Sequence, residues 1–417
     1  MQFKQYPSYK PSGVEWLGDV PDEWDIYPFW HLFNRKEITN KTQEQLLSVY
    51  LDRGVILHSE GGGMVHKPAD NLEKYQLVEV NDFVMNNQQA WRGSVGVSPY
   101  KGIVSPAYLI FSFNKKICAP KFFKYFLRDK GVVDQFMIAS MSVGTIQRQV
   151  KWHLLKTIQL SIPSLIEQNT IANFLDTETA RIDNLIAKQE KLIELLEEQR
   201  KSIISHAVSK GLNPNAPMKD SGVEWLGDVP EHWEVISIKF LAHCSSGQGI
   251  NSLEVLDIAD DKNSFPVIGG NGMMGWTSKS NYKEPVLSIG RVGALCGNVH
   301  LINYPSWISD NSLILKVYSK KVNLEILQYI LLSRNLNNLA SKSAQPLITG
   351  TQVKNEKITL PPPNEQSQIL QYIIQNQSRI NNLIAKQKTL IEKLKEYRAS
   401  IISHAVTGKI DVREFGA

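Results

Sequence analysis

The sequence predicts an α+β protein: two globular mixed α/β modules separated by two long antiparallel helices forming a coiled coil, with an internal pseudo-twofold repeat. Three observations carry this. The ten residues SGVEWLGDVP occur at 12–21 and again at 221–230. Two further segments return in the same order, NLIAKQ at 184–189 and 382–387, and IISHAV at 203–208 and 401–406. The stretches between these copies, 25–160 and 234–358, show little resemblance to each other. A repeat of this length defines the architecture before any local feature does. Keeping the connectors alike while the modules differ is what a molecule does when it performs one task twice, on two different targets.

In order, the chain divides into a box over 1–24, a first module over 25–160, a helix and second box over 161–233, a second module over 234–358, and a final helix over 359–417. A length of 417 residues exceeds one ordinary core and calls for several domains. No apolar run approaches the roughly 18–20 residues needed to span a bilayer, and the N-terminus lacks the apolar stretch of a leader, so a cytoplasmic protein with no membrane contact is expected.

The modules read as alternating strands and helices. Strands are expected at 82–86, 108–113, 285–289 and 312–317, and helices at 121–136 and 323–339. Residues 25–160 carry 17 Lys and Arg against 11 Asp and Glu, and the second module is basic by a smaller margin. Positive charge on a polar, Asn/Gln-rich module suits a polyanion. Gly61-Gly62-Gly63 reads as a turn.

The helices carry the clearest pattern. Leu175, Ile182, Gln189, Leu196 and Ile203 stand seven apart, with Leu185 and Leu192 expected at the alternate seam position. The second copy places Ile373, Ile380, Gln387, Leu394 and Ile401 equivalently, with Leu383 and Leu390 beside them. Ser164 and Glu167 form a capping-box signature at the first helix start. Pro361–Asn364 starts the second, and Gly211 and Gly408 stop the two. At about 42 residues each helix is roughly 60 Å long and cannot bury its stripe alone. Asn184, Lys188, Ser205 and His206, repeated off the seam, point to an external partner shared by both copies.

No nucleotide-binding GxxxxGK[ST] loop, HExxH, GxSxG or NPP[YF] motif is present, and no nuclease-type acid set stands out. The three cysteines lack CxxC spacing and are expected to be reduced, partly buried thiols, with no metal site. A chain without convergent acids, bases or metals reads as a non-enzyme.

With the duplicated boxes, the paired EQ…NLIAKQ…IISHAV helices and the loops at 80–108 and 290–311, the chain resembles the specificity (S) subunit of type I restriction–modification systems over essentially its whole length. The resemblance implies two target-recognition domains, each reading half of a split, asymmetric site on double-stranded DNA. The helices then act as a ruler between the half-sites. It also implies two methyltransferase (M) subunits docked on the repeated regions, and restriction (R) subunits in the full assembly. Chemistry would belong to those partners, which would hold S-adenosylmethionine, ATP and magnesium; this chain would hold no cofactor. Base reading favours Arg for guanine and Asn or Gln for adenine. On that basis Asn87, Gln88, Gln89 and Arg92 are candidates in the first module, and Asn271, Lys279 and Arg291 in the second. Lys101, Arg148 and Lys283 are candidate phosphate contacts. Gly93, Gly290 and Gly293 are expected to let backbone approach the duplex, while Trp91 and Trp276 are expected in the core. Two rival readings stay open: an enzyme with its centre hidden in one module, and a coiled-coil scaffold that binds only protein.

Overall fold

The structure is a computed structural model that describes residues 3–51, 53–61, 68–143, 147–293, 295–341 and 346–415; Gly62 and Gly63 of the glycine run lie outside these. The chain forms two units, Met1–Lys188 with Thr389–Ala417, and Gln189–Lys388.

The first unit is built on a four-stranded antiparallel sheet. Its strand order is Phe33–Lys36, Tyr108–Phe113, Phe83–Asn86, Val95–Val97. Alternation along these strands sends Phe33, Phe83 and Phe111 to one face, where they meet Phe29, Phe122, Phe123, Phe126 and Phe136 in an aromatic core. Val84 and Ile110 face the other way and join Leu47, Val49, Val55, Val78 and Val104. The expected helix over 121–136 is broken into Pro120–Phe126 and Lys130–Ile138. The cause is Asp129, whose carboxylate accepts the Gly131 N–H at 2.9 Å and caps a new helix.

The second unit repeats this topology. Ala242–Ser246, Ser312–Val317, Val286–Gly290 and Val299–Ile302 form its four-stranded sheet in that order. Here the core is aliphatic: Leu287, Ile289, Leu313 and Leu315 pack on Ile326, Ile330 and Leu331. The expected helix over 323–339 is α-helical only for Leu324–Arg334. Asn335 takes a left-handed conformation (φ 51°), and a 3-10 turn follows at Leu336–Leu339.

In each unit a strand pair closes the module where it meets the long helix: Asp25–Pro28 with Gln159–Ile162, and Glu234–Ser237 with Lys357–Leu360. The repeated box is a hairpin in both, Tyr9–Pro11 with Asp19–Pro21 and Met218–Asp220 with Asp228–Pro230. Lys10 Nζ donates to the Asp22 carbonyl, and Lys219 Nζ to the Glu231 carbonyl.

The long helices are Leu165–Lys210 and Pro363–Val406. In the first unit Leu175, Ile182 and Ile401 are buried, Leu394 packs against them, and Arg398 pairs with Asp183 at 2.8 Å. In the second unit Leu196, Ile380 and Ile384 cluster with Ile193 and Ile203, Ile373 lies in the module core, and Arg200 Nη1 donates to Asn381 at 3.1 Å. Gln189 and Gln387 are half-buried. Leu192, Leu383 and Leu390 are exposed, which corrects the expected alternate positions. The inward residues stand four after the buried positions rather than three: Ile186, Ile193 and Ile384. The capping box is also half-formed. Ser164 Oγ accepts the Glu167 N–H at 3.3 Å, but the Glu167 carboxylate turns instead to the box, accepting Tyr6 Oη–H at 2.6 Å and Trp24 Nε1–H at 3.1 Å. All three cysteines are free and buried.

Candidate nucleic-acid interface

Among the contacts that seat each module on its helix, one buried glutamine recurs. Gln168 Oε1 accepts the Ala119 N–H at 2.7 Å, and its Nε2 donates to the Ile117 and Pro163 carbonyls at 2.7 and 2.8 Å. Gln366 repeats the pattern: Oε1 accepts the Asn323 N–H at 2.8 Å, and Nε2 donates to the Lys321 and Pro361 carbonyls at 2.7 and 2.8 Å. A side-chain amide with all these hydrogen bonds made inside the protein is a rigid joint, because breaking any one of them leaves a buried group unpaired. The Glu-Gln pair is visible in both sequence copies, yet its second member reads there as helix surface.

Strand register shows which rim residues correspond. Phe83 and Leu287 each pair with the strand that follows in the sheet, at Phe111 and Leu315. Four residues on from each stand Asn87 and Arg291. Both carbonyls accept a return N–H, from Val150 at 3.3 Å and from Ile348 at 2.9 Å. Arg291 is therefore the counterpart of Asn87 and not of Arg92.

In the first unit this position gathers several candidates. Asn87 Oδ1 accepts the Val150 N–H at 2.9 Å, which directs its amide nitrogen away from that bond. Arg148 lies on the same return hairpin, Ser140–Val143 with Gln147–Val150, and donates from Nη2 to the Ser140 carbonyl at 3.1 Å. Its buried Nε has no partner among the described residues. Gln88 and Gln89 are half-buried in the turn leading into a 3-10 turn at Ala90–Arg92. There the exposed Arg92 guanidinium lies 4.7 Å over the Trp91 ring. Trp91 is half-buried, so it is a rim residue and not the core residue expected. Lys101 stands apart from this group, paired with Glu44 at 2.7 Å. The hydrogen bond and charge of Glu44 raise its pKa.

In the second unit Arg291 donates to Ser246 Oγ at 3.3 Å, and its Nε is buried without a partner among the described residues. Asn271 is exposed and accepts from Asn298 Nδ2 at 3.0 Å. It lines a shallow cavity of about 350 Å³ with Gly270, Val292, Leu295 and Asn311. Asn311, whose carbonyl accepts the Arg291 N–H at 2.9 Å, joins the group although no sequence signal singled it out. Lys279 is engaged elsewhere, paired with Glu254 at 2.6 Å and lying 5.1 Å over the Trp307 ring. Lys283 is exposed in the turn before Val286. Trp276, expected in the core, is half-buried. Gly290 also departs from expectation. A Cβ there would stand 2.2 Å from the Gly270 carbonyl oxygen, so the glycine serves internal packing and not approach to a ligand. Gly293 does face open space, at φ +85°.

No group of three or more His, Cys, Asp or Glu residues that could hold a metal occurs among the described residues. No helix is long and apolar enough to cross a membrane among them.

The family model described as the type I restriction modification DNA specificity domain matches residues 230–393. The type I restriction enzyme MjaVIII specificity subunit of Methanocaldococcus jannaschii is 24% identical, in an alignment covering 99% of this chain and 98% of that one. The chain is thus similar to type I specificity subunits along nearly its whole length, and its residues 230–393 match their DNA specificity domain. The StySPI specificity subunit of Salmonella potsdam is also 24% identical, over 83% of this chain and 78% of its own. Among solved structures, this chain is similar to one from a study of complex assembly and conformational transition of the type I R-M system. The TM-score is 0.69 at 17% identity, covering 93% of this chain and 98% of that one. The HsdS subunit from Thermoanaerobacter tengcongensis gives 0.56 at 17% identity, covering 94% and 98%. At these identities the likeness is one of fold.

Proposed function

We propose that this chain is a specificity subunit that reads a split, asymmetric site on double-stranded DNA, one half with each module, for a type I restriction–modification complex in the cytoplasm. The observation that carries the reading is the pairing of like with unlike. Two modules of one topology stand on the same glutamine joint, yet they present Asn87 at the reading rim in one case and Arg291 in the other. Asn suits adenine and Arg suits guanine. Two modules presenting different side chains read two different half-sites, whereas identical ones would demand a palindrome.

The module boundaries are 25–160 and 234–358. In the first, Asn87, Gln88, Gln89 and Arg92 meet base edges, with Arg148 and Lys101 on phosphates. In the second, Asn271, Lys279 and Arg291 read bases, and Lys283 contacts the backbone. The long helices form an antiparallel coiled coil that relates the halves by a pseudo-twofold. Support comes from within each unit: Asp183 meets Arg398 where Phe174 meets Phe415, and Leu196 clusters with Ile380 while Val208 clusters with Ile373. Two methyltransferase subunits dock on the repeated frames, and restriction subunits join them. S-adenosylmethionine, ATP and magnesium belong to those partners.

The test is to co-express the chain with its methyltransferase subunit and map N6-methyladenine across the host genome. One asymmetric split motif, lost when this chain is omitted, is the expected result. A stable complex that leaves no motif overturns the reading in favour of a protein-binding scaffold.

A further inference from the structure

The duplicated frame is closed in one unit and open in the other. In the first unit the chain's own ends cover the start of the long helix. Lys4 and Asp411 form an antiparallel bridge, and Phe3 and Phe415 pack on Phe174 with ring centroids 5.8 and 5.2 Å away. Tyr6 lies beneath them, its hydroxyl on Glu167 at 2.6 Å and the Arg413 guanidinium 5.0 Å over its ring. Arg413 in turn pairs with Glu23 at 2.8 Å.

The second unit reproduces the backbone of this site. The Asp22 N–H donates to the Ser8 carbonyl, and the Glu231 N–H to the Pro217 carbonyl, so Asn215 stands where Tyr6 does and His232 where Glu23 does. Trp233 still donates to Glu365, at 2.9 Å, as Trp24 does to Glu167. No tyrosine stands in the place of Tyr6; the His232 imidazole reaches the carboxylate instead, with Nε2 2.6 Å from Glu365 Oε1. A cavity of about 420 Å³ remains, lined by Leu212, Pro230, His232, Glu365, Gln368 and Ile369 among others. That volume falls within the range of about 300–1,000 Å³ found for ligand pockets. Tyr372, the counterpart of Phe174, is left exposed, as are Leu212 and Met218.

We infer that this cavity receives a tyrosine side chain from a methyltransferase subunit, held against Glu365 as Tyr6 is held against Glu167. The inference rests on the reading above that methyltransferase subunits dock on the repeated frames. The site suits a ring with a hydroxyl at its tip: Leu212, Pro230 and Ile369 give it apolar wall, Lys210, Asn213 and Gln368 give it polar wall, and Glu365 supplies a carboxylate. Glu365 Oε1 already accepts from His232 Nε2 at 2.6 Å, yet a carboxylate oxygen takes two donors, as Glu167 Oε1 does. The Glu365 carboxylate disfavours a phosphate, which makes DNA a poorer occupant than a neutral hydroxyl. His232 in place of Glu23 removes the anchor that Arg413 uses, so a second copy of this chain's own terminus is not matched to the site. The closed first site offers no such vacancy, so the two methyltransferase subunits are held unequally.

The experiment places the photo-cross-linker p-benzoylphenylalanine at Gln368, an exposed residue on the cavity edge, in the co-expressed complex. A cross-linked methyltransferase peptide containing tyrosine is expected, and changing that tyrosine to Phe should weaken association. Asn215→Tyr, which supplies the ring from within, should lower affinity for one methyltransferase subunit by about 10-fold or more and leave the other unchanged. Gln368→Trp, which plugs the cavity from the helix, should do the same and guards against misfolding of the first variant. Cross-links only to this chain or to a second copy, or wild-type assembly of both variants, would overturn the inference. Methylation of a split motif in those same cells would leave the reading of function standing while the docking site fell. Absence of any complex with the wild-type chain would sink both.

Discussion

Replacing Gln366 by Leu should separate the second module from its helix without touching any candidate DNA contact. The side chain is 3% exposed and makes three hydrogen bonds, to the Asn323 N–H and to the Lys321 and Pro361 carbonyls. Leucine is close in size but leaves one donor and two acceptors buried and unpaired. Each such group costs about 1–3 kcal/mol. Asn323 is the N-cap of Leu324–Arg334 and keeps its own side-chain caps on Glu325 and Ile326, so the helix itself survives. Some relaxation will let water reach the Lys321 carbonyl, and the added apolar surface offsets part of the loss. A net cost of about 3 kcal/mol follows. In a unit of about 200 residues, that lowers the unfolding midpoint by roughly 6–12 °C. Gln366→Glu should be worse, because a carboxylate then faces two carbonyl oxygens. The assay is thermal unfolding with hydrogen exchange on the Lys321–Leu324 amides, alongside methylation of sites altered in one half or the other. A shift below about 2 °C with unchanged exchange would refute the joint. So would equal loss of discrimination at both half-sites, since Gln366 should loosen only one.

Three further outcomes are expected. Arg291→Ala and Asn87→Ala should each cost about 1–3 kcal/mol on the cognate site and relax one base position in different half-sites, measured by binding to single-base variants; equal weakening on scrambled DNA would make them phosphate contacts. Gly290→Ala should destabilise the second unit far more than Gly293→Ala, because its Cβ meets the Gly270 carbonyl oxygen at 2.2 Å whereas Gly293 faces open space; equal urea midpoints would contradict this. Burial lowers the pKa of His300, whose Nε2 has no partner among the described residues. The unfolded chain therefore binds a proton near pH 6.5 that the folded chain resists, so this contribution is full above that pH and is lost as pH falls below it. His300→Gln should flatten the dependence of the urea midpoint between pH 7 and 5, and an unchanged slope would assign it to other groups.

The helices were legible because their signals are local: Gly211 and Gly408 stop them at positive φ, and the seven-residue spacing marks buried residues such as Ile182 and Ile380. Strands 108–113 and 312–317 were legible for the same reason, since alternation needs only neighbours. The kinship of the two modules was not legible, because a sheet's topology constrains pairing and burial rather than chemistry. Phe83 against Phe111 and Leu287 against Leu315 satisfy the same register with unlike side chains. Letters align by identity and would set Arg92 beside Arg291, whereas strand register aligns Asn87 with Arg291. Gln168 and Gln366 escaped notice because a glutamine on a helix looks like solvent-facing surface until its three partners arrive from elsewhere in the chain. Gly290 misled for the opposite reason, since tight internal packing and close ligand approach both demand a missing Cβ.

The strand pairs that close each module have an architectural consequence. Asp25 is the register partner of Ile162, and Glu234 of Leu360, so each module departs from the frame and returns to it at a single narrow neck. A segment whose two ends meet at strand spacing can be grafted onto such a neck, provided that it also meets the helix at the glutamine joint and the apolar face beside it. The frame on either side need not move to accommodate it. The core of either module can therefore be rewritten while the strand pair that anchors it stays the same.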